Sequence, residues 1–163
     1  MPRILAVDDS ATMRRVLELT FAGQDGIEIV AVADGATAVR AAAQHALDLI
    51  LADASMPGMD GYEVARTIRE AGGQTPIILL ASQHTPFDAE KARAAGIDDH
   101  VLKPFDTQSM IDKARDVMSR GRKAAGSAAP GARTSTSGTM QSTPAVPRAP
   151  AAPVGSPVAA AKP

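Results

Sequence analysis

The chain has 163 residues, no cysteine and a net charge of −1. A chain of this length accommodates one modest domain, and the lack of cysteine excludes disulfides and thiolate metal sites. No apolar run of 18 residues occurs in the sequence, which argues against secretion or membrane insertion, so we expect a soluble cytoplasmic protein.

Five short runs of β-forming residues alternate with helical patterns along residues 1–121. Such alternation is typical of parallel strands joined by crossover helices. The third and fourth runs are almost wholly apolar, as expected when helices cover both faces of a parallel sheet. The predicted strands are Arg3–Asp8, Ile27–Ala33, Asp48–Asp53, Pro76–Ser82 and Asp98–Lys103.

Apolar residues recur at helical spacing after the predicted strands, for example at Val64, Ala65 and Ile68. Residues typical of helix starts precede these segments, and glycines stand where helices should end. The predicted fold is therefore an α/β (βα)₅ domain with a doubly wound parallel sheet, whose ligands gather at the carboxyl ends of the strands. The expected start residues are Ser10, Gly35, Gly61, Pro86 and Asp106, and the expected end residues are Gly23, Gly72 and Gly96.

Polar residues fall at the carboxyl ends of four predicted strands: Asp8-Asp9, Asp53, Ser82 and Lys103. In the predicted sheet they would converge in one shallow pocket, although they lie up to 95 residues apart in the sequence. Three crowded carboxylates repel one another unless a cation lies among them, and hard oxygen ligands suit Mg²⁺, or Mn²⁺ in its place. With the metal present, an ionised aspartate can attack the phosphorus of a phospho-donor. The lysine, the hydroxyl and backbone amides would then stabilise the transferring phosphoryl group.

Each of these residues also has an ordinary structural interpretation when it is taken alone. Asp9 would cap a helix or be solvated, Ser82 would be a strand-end hydroxyl, and Lys103 would be an exposed lysine. The combination is harder to explain structurally, because Asp53 gains no stability from lying beside two more carboxylates.

Four motifs carry a resemblance to a known family. They are VDDS at Val7–Ser10, LADASMPGMDG at Leu51–Gly61, LLAS at Leu79–Ser82 and VLKPF at Val101–Phe105. With these motifs, residues 2–121 resemble the CheY-like receiver domain of bacterial two-component response regulators, which implies the flavodoxin-like strand order 2-1-3-4-5.

The resemblance implies a role for each residue of the pocket. Asp53 would accept a phosphoryl group from a histidine kinase or phosphotransfer protein. Asp8, Asp9, Asp53 and the backbone carbonyl of Ser55 would hold the Mg²⁺ ion. Lys103 would contact the phosphoryl group, and its peptide bond to Pro104 would be cis. The protein would then be a regulator and not an enzyme, apart from Mg²⁺-dependent self-phosphorylation and autodephosphorylation.

A second set of positions concerns signal output. Phosphorylation would draw the Ser82 hydroxyl toward Asp53 and move the loop after the fourth strand. His100 stands at the switch position where similar proteins more commonly have Tyr or Phe, so the switch could be weaker or pH-sensitive. Ser55 and His84 would border the attacking water and set the lifetime of the phosphoryl group.

The expected output face comprises the fourth helix, fifth strand and fifth helix, roughly residues 86–120, and would bind an unidentified downstream protein. No DNA-binding motif follows the domain, so we expect no direct DNA binding and regulation through protein contacts. The candidate contact residues are Ala92, Ala94, Ala95, Ile111 and Val117, with charges from Lys91, Arg93 and Lys113. Packing in the core or simple solvation is the alternative for most of these alanines.

The predicted domain boundary lies between residues 121 and 122. Residues 122–163 carry five basic and no acidic residues, and Ala, Pro, Gly, Ser and Thr supply 32 of the 42 positions. This composition leaves too little apolar bulk to offset the entropy of ordering, which predicts a disordered basic tail or linker.

Three other functions compete with this interpretation. A pseudo-receiver would bind partners without phosphorylation, but such a chain is expected to have lost one of Asp8, Asp9, Asp53 or Lys103. A phosphohydrolase with a nucleophilic aspartate usually has a second acid two residues later, where this chain has Ser55. A flavin or nucleotide site would need a phosphate-binding loop after the first strand, where two aspartates would repel phosphate.

Overall fold

The structure is a computed structural model that describes residues 1–126. Within these residues, five strands alternate with five helices in a regular βα order, which confirms the predicted fold class. The elements are β1 (Arg3–Val7), α1 (Ala11–Ala22), β2 (Glu28–Val32), α2 (Gly35–Gln44), β3 (Leu49–Asp53), α3 (Gly61–Glu70), β4 (Ile77–Ala81), α4 (Ala89–Ala95), β5 (Asp99–Leu102) and α5 (Thr107–Gly126).

All strand pairs of the sheet are parallel, and the strand order is β2-β1-β3-β4-β5, as predicted. The order reverses between β1 and β3, which is where ligands bind in open α/β sheets. The register places Val7 opposite Ala52 and Asp53 opposite Leu80. The carboxyl ends of β1, β3 and β4 therefore meet at one edge of the sheet.

The core has two layers, one on each face of the sheet. Alternate residues of β1, β3 and β4 point to opposite faces of the sheet. Because helices cover both faces, every residue of β3 and β4 is buried. One layer packs against α2, α3 and α4, and the other packs against α1 and α5. This two-sided cover is the reason for the apolar runs in the sequence.

Several predicted helix ends are confirmed by their capping contacts. The Ser10 hydroxyl accepts a hydrogen bond from the Met13 amide at 3.3 Å, and Asp106 accepts one from the Ser109 amide at 2.9 Å. Gly96 ends α4 with a φ of 76°, a left-handed conformation that favours glycine.

Other predicted boundaries need correction. Pro86 does not open α4, which begins three residues later because the Asp88 carboxylate accepts the Lys91 amide as its N-cap. Gly35 and Gly61 are the first residues of α2 and α3, each preceded by a capping aspartate.

The last helix runs to Gly126, which lies beyond the predicted domain boundary at residue 121. The rest of the predicted tail lies outside the described residues, and its disorder stays a prediction. Among residues 1–126, no helix is both long enough and apolar enough to cross a membrane.

Candidate phosphoryl-transfer site

Four strands, β1, β2, β4 and β5, end one residue earlier than the sequence predicts, and three of them carry predicted site residues. Asp8, Ser82 and Lys103 each follow directly after their strand, whereas Asp53 is the last residue of β3. The shift at Ser82 has a visible cause, because its N–H donates to the carbonyl of Thr85 and so turns into the following loop. The residues nevertheless lie at the carboxyl edge of the sheet, as expected.

The structure brings the three predicted carboxylates together. One oxygen from each of Asp8, Asp9 and Asp53 can be chosen so that all three lie within 4.8 Å of one another. Asp8 is fully buried and Asp53 is nearly so, whereas Asp9 is exposed. The cluster therefore has a buried floor and one side open to solvent.

Lys103 supplies positive charge to this cluster. Its ammonium nitrogen lies 3.0 Å from Oδ1 of Asp53 and 3.7 Å from Oδ2 of Asp8. One ammonium cannot neutralise three carboxylates, so negative charge remains in the pocket. The peptide bond between Lys103 and Pro104 is cis, as the resemblance implies.

The buried carboxylate of Asp8 is only half satisfied by the protein. Oδ1 accepts a hydrogen bond from the Ser10 amide at 2.9 Å, whereas Oδ2 is buried without a hydrogen-bond partner. Burial raises the pKa of Asp8, and the negative charge of Asp53 adds to the rise, although the Ser10 amide and Lys103 oppose it. An unpartnered buried carboxylate oxygen of this kind is suited to a cation.

Two residues that support the pocket were not predicted. The Arg14 guanidinium donates to the backbone carbonyls of Asp8 and Asp9, at 2.8 and 3.1 Å, and so holds the loop after β1. Gly61 packs against Asp53, because a Cβ at Gly61 would lie 2.4 Å from the Asp53 carbonyl oxygen. The sequence signal for Gly61 was its place at a helix start, which did not reveal this close approach.

The residues predicted to tune the phosphoryl lifetime lie on two exposed loops. Ser55 is exposed, and its N–H donates to Oδ1 of Asp53 at 3.3 Å. His84 is exposed in the loop between β4 and α4. Their effects on lifetime, and the predicted metal contact of the Ser55 carbonyl, stay predictions.

The predicted switch residue His100 has an aromatic partner that the sequence did not reveal. The His100 ring on β5 stacks on the ring of Phe87, with centroids 3.8 Å apart and planes within 8° of parallel. Phe87 belongs to the same loop as Ser82, so this stack connects the loop to β5.

The structure corrects most of the apolar contact residues predicted for the output face, whereas the face as a binding surface stays a prediction. Four of the five expected apolar contact residues are buried in the core, since they lie on the inward faces of α4 and α5 and are no more than 4% exposed: Ala92, Ala95, Ile111 and Val117. Only Ala94 is exposed. The charges are mostly paired, because Lys91 lies 3.1 Å from Asp60 and 4.5 Å from the Tyr62 ring centroid.

Lys113 is paired in the same way. Its ammonium group donates to Asp99 at 2.9 Å and to the His100 carbonyl at 3.1 Å. Burial raises the pKa of Asp99, but the hydrogen bonds from Lys113 and from the His100 amide outweigh burial, so the pKa of Asp99 is lowered overall. This contact joins α5 to β5.

Comparison with known proteins identifies the type of domain. The family model described as the response regulator receiver domain matches residues 4–115. The chain is 34% identical over 123 residues to the transcriptional regulatory protein AfsQ1 of Streptomyces coelicolor, covering 76% of this chain and 54% of that protein. It is 33% identical over 113 residues to the DNA-binding response regulator MtrA of Mycobacterium tuberculosis, covering 69% of this chain and 49% of MtrA. The chain thus spans about half the length of these relatives.

Solved structures agree with this match. The receiver domain of the sensor histidine kinase PA1611 from Pseudomonas aeruginosa, solved with a magnesium ion in its active-site cleft, is 33% identical. It has a TM-score of 0.65, and the match covers 72% of this chain and 98% of that one. The chemotaxis protein CheY4 of Vibrio cholerae is 29% identical with a TM-score of 0.66, covering 72% of this chain and 98% of CheY4.

Proposed function

This chain belongs to the response regulator receiver domain family, and from that premise we propose that Asp53 accepts a phosphoryl group from a histidine kinase or phosphotransfer protein. The observation that carries the proposal is the contact between Asp53 and Lys103 beside two further carboxylates. An ionised, nearly buried carboxylate at the end of a central strand is a suitable nucleophile when positive charge lies within hydrogen-bond distance.

The residues of the pocket fit a divalent cation. The carboxylates of Asp8, Asp9 and Asp53 supply hard oxygen ligands, and Oδ2 of Asp8 is buried without a hydrogen-bond partner. We propose that these three side chains, with the Ser55 carbonyl, hold Mg²⁺, and that Mn²⁺ can replace it. When bound, the ion would neutralise charge that develops on the phosphoryl oxygens.

In the proposed reaction, a carboxylate oxygen of Asp53 attacks the phosphorus of a phosphohistidine. The O–P bond forms as the P–N bond breaks, and the bonding pair leaves with the imidazole nitrogen, which takes up a proton. Lys103 stays beside the new phosphoryl group as a charge partner. Hydrolysis later returns phosphate and the free Asp53 carboxylate, with water as the nucleophile.

A pseudo-receiver that binds partners without phosphorylation is the second candidate. The intact set of Asp8, Asp9, Asp53 and Lys103 favours phosphorylation, because a scaffold has no need for an unpartnered buried carboxylate. Turnover of an external substrate is disfavoured, since Ser55 stands where a phosphohydrolase would carry its second acid.

The proposed partners are a phosphoryl donor, which is a histidine kinase or a phosphotransfer protein, and a downstream protein. The proposed location is the cytoplasm. The relatives named above include a DNA-binding response regulator, MtrA, of which this chain covers about half. The expectation that this chain does not bind DNA therefore has no support from them.

The test is incubation with acetyl phosphate and Mg²⁺, followed by intact-mass and peptide mass spectrometry. We expect one phosphoryl group on the wild type, none on Asp53→Asn, and none in the presence of a chelator. Asp112→Asn, at an exposed position of α5, is the matched control and should be labelled like the wild type. Failure to label wild-type protein, with beryllofluoride also failing to bind, would favour the pseudo-receiver.

A further inference from the structure

The hydroxyl group of Ser82 is bound to Thr85, three residues along the same loop. The two side-chain oxygens are 2.8 Å apart, and the Thr85 amide donates to the Ser82 hydroxyl at 3.1 Å. The Ser82 amide donates in return to the Thr85 carbonyl at 3.0 Å. Three hydrogen bonds therefore join these two residues in a tight turn.

This turn fixes the position of the Ser82 oxygen. A serine hydroxyl has one proton to donate and two lone pairs that accept. The Thr85 amide occupies one lone pair, and the Thr85 hydroxyl occupies either the proton or the second lone pair. Among the described residues, the Ser82 oxygen makes no hydrogen bond to the carboxylates or to the lysine of the pocket.

We propose that Thr85 is a positioning residue that holds the Ser82 hydroxyl in this turn, and that a phosphoryl group on Asp53 must compete with Thr85 to engage it. The inference rests on the proposed function in that Asp53 is taken as the acceptor. The Thr85 side chain then opposes the phosphorylated conformation and sets how much of the population reaches it.

The far end of the same loop provides a signal for the release of the Ser82 hydroxyl from Thr85. Phe87 stacks on His100 at 3.8 Å, and the Asp88 amide donates to the Tyr62 hydroxyl at 2.9 Å. Movement of Ser82 would be transmitted along a short loop to the Phe87 ring. Because the Phe87 ring lies face to face with His100, its displacement changes the ring-current shift of the His100 protons.

Thr85→Val removes the hydroxyl and keeps the β-branched shape and the backbone amide. The Ser82 hydroxyl then loses one of its two partners in the turn. The loss of one net hydrogen bond changes an equilibrium by about twofold to tenfold. We therefore expect Thr85→Val to lower the half-saturating concentration of beryllofluoride by that factor, and Thr85→Ser to behave like the wild type.

The experiment is a beryllofluoride titration with Mg²⁺, followed by the ring protons of His100. The chain has three histidines, and the His100 signal is identified by its loss in His100→Gln. Since Thr85 acts through the Ser82 hydroxyl, Thr85→Val should have no effect in a Ser82→Ala background. An unchanged or raised half-saturating concentration in Thr85→Val, or an equal shift in both backgrounds, overturns the proposal.

A second measurement tests Thr85 without phosphorylation chemistry. In metal-free protein, hydrogen exchange of the Thr85 amide reports on its bond to the Ser82 oxygen. We expect exchange to be several-fold faster in Thr85→Val and in Ser82→Ala, while β4 amides are unchanged. Unchanged hydrogen exchange of the residue-85 amide in both variants overturns the proposal. Failure of beryllofluoride to bind wild-type protein contradicts only the proposed function.

Discussion

Replacement of Asp8 by asparagine should stabilise the metal-free protein, although it removes a proposed metal ligand. Oδ2 of Asp8 is buried without a hydrogen-bond partner, and the charge lies beside Asp53. An unsatisfied buried polar group costs about 1–3 kcal/mol, and more when it is charged. Asparagine leaves a buried polar amide nitrogen in place of Oδ2, so the gain comes from removal of the charge. Lys103, 3.7 Å away, already offsets part of the cost of that charge, so we expect a gain of about 1–2 kcal/mol in the free energy of unfolding. Asparagine keeps the oxygen that accepts from the Ser10 amide.

The stability difference between Asp8→Asn and the wild type should depend on pH. The pKa of Asp8 is raised above its ordinary value of 3.8, so folding favours the protonated carboxyl. The cost of the ionised carboxylate is complete above the folded pKa, declines as pH falls through it, and is absent below 3.8. The advantage of Asp8→Asn should therefore be larger at neutral pH than in acid, and should fade toward pH 4.

The assay is urea unfolding by circular dichroism in chelator, at neutral pH and at pH 4 to 5. A gain of this size corresponds to a rise in Tm of roughly 3–10 °C. Asp9→Asn is the matched control, because the exposed Asp9 carboxylate is solvated and its replacement should have a smaller effect. A less stable Asp8→Asn protein in chelator at neutral pH would refute the reasoning.

Magnesium should reverse the order of stability of the wild type and Asp8→Asn. A ligand that binds only the folded state stabilises it by an amount that grows with its concentration. We expect Mg²⁺ to raise the Tm of the wild type and to have little effect on Asp8→Asn. Equal stabilisation of both proteins by Mg²⁺ would contradict a role for Asp8 as a ligand.

Three further predictions concern single substitutions outside the metal ligands. Gly61→Ala should cost about 3 kcal/mol in urea unfolding and slow phosphorylation, because its Cβ would lie 2.4 Å from the Asp53 carbonyl oxygen. Gly23→Ala is its control, with no atom within 4 Å of the new Cβ. Asp99→Asn should lower stability at pH 7, and the difference should be lost as pH falls below 3.8 through the lowered pKa of Asp99. Tyr62→Phe should cost about 1 kcal/mol by the same assay, since its hydroxyl accepts the amide at the N-cap of α4.

The helix and strand boundaries show where local information was sufficient. Ser10 and Asp106 were predicted as caps from residue type alone, and both accept the expected amides. Pro86 misled the prediction for α4, because the turn between Ser82 and Thr85 and the cap at Asp88 delay the helix. Proline interrupts regular secondary structure, but the start of the next helix depends on which side chain accepts hydrogen bonds from its first free amides.

The output face shows where sequence patterns fail. Small apolar residues such as Ala92 and Ala95 fit a contact surface and a packed core equally well by composition. The structure buries both, since the inward face of α4 lies against the sheet. Lys113 was predicted as a charged contact residue of the output face, but its ammonium group pairs with Asp99 and so joins α5 to β5.

The sequence by itself determined the parallel α/β fold and the acidic pocket. Strand and helix patterns repeat over a few residues, and parallel strands bring their carboxyl ends to one edge whatever their separation in the chain. Only the tertiary structure decided which groups contact Asp8, which residue holds Ser82, and that Phe87 stacks on His100. Those contacts depend on loop conformation and side-chain direction, which are set by packing between distant segments and leave no periodic signal in the sequence.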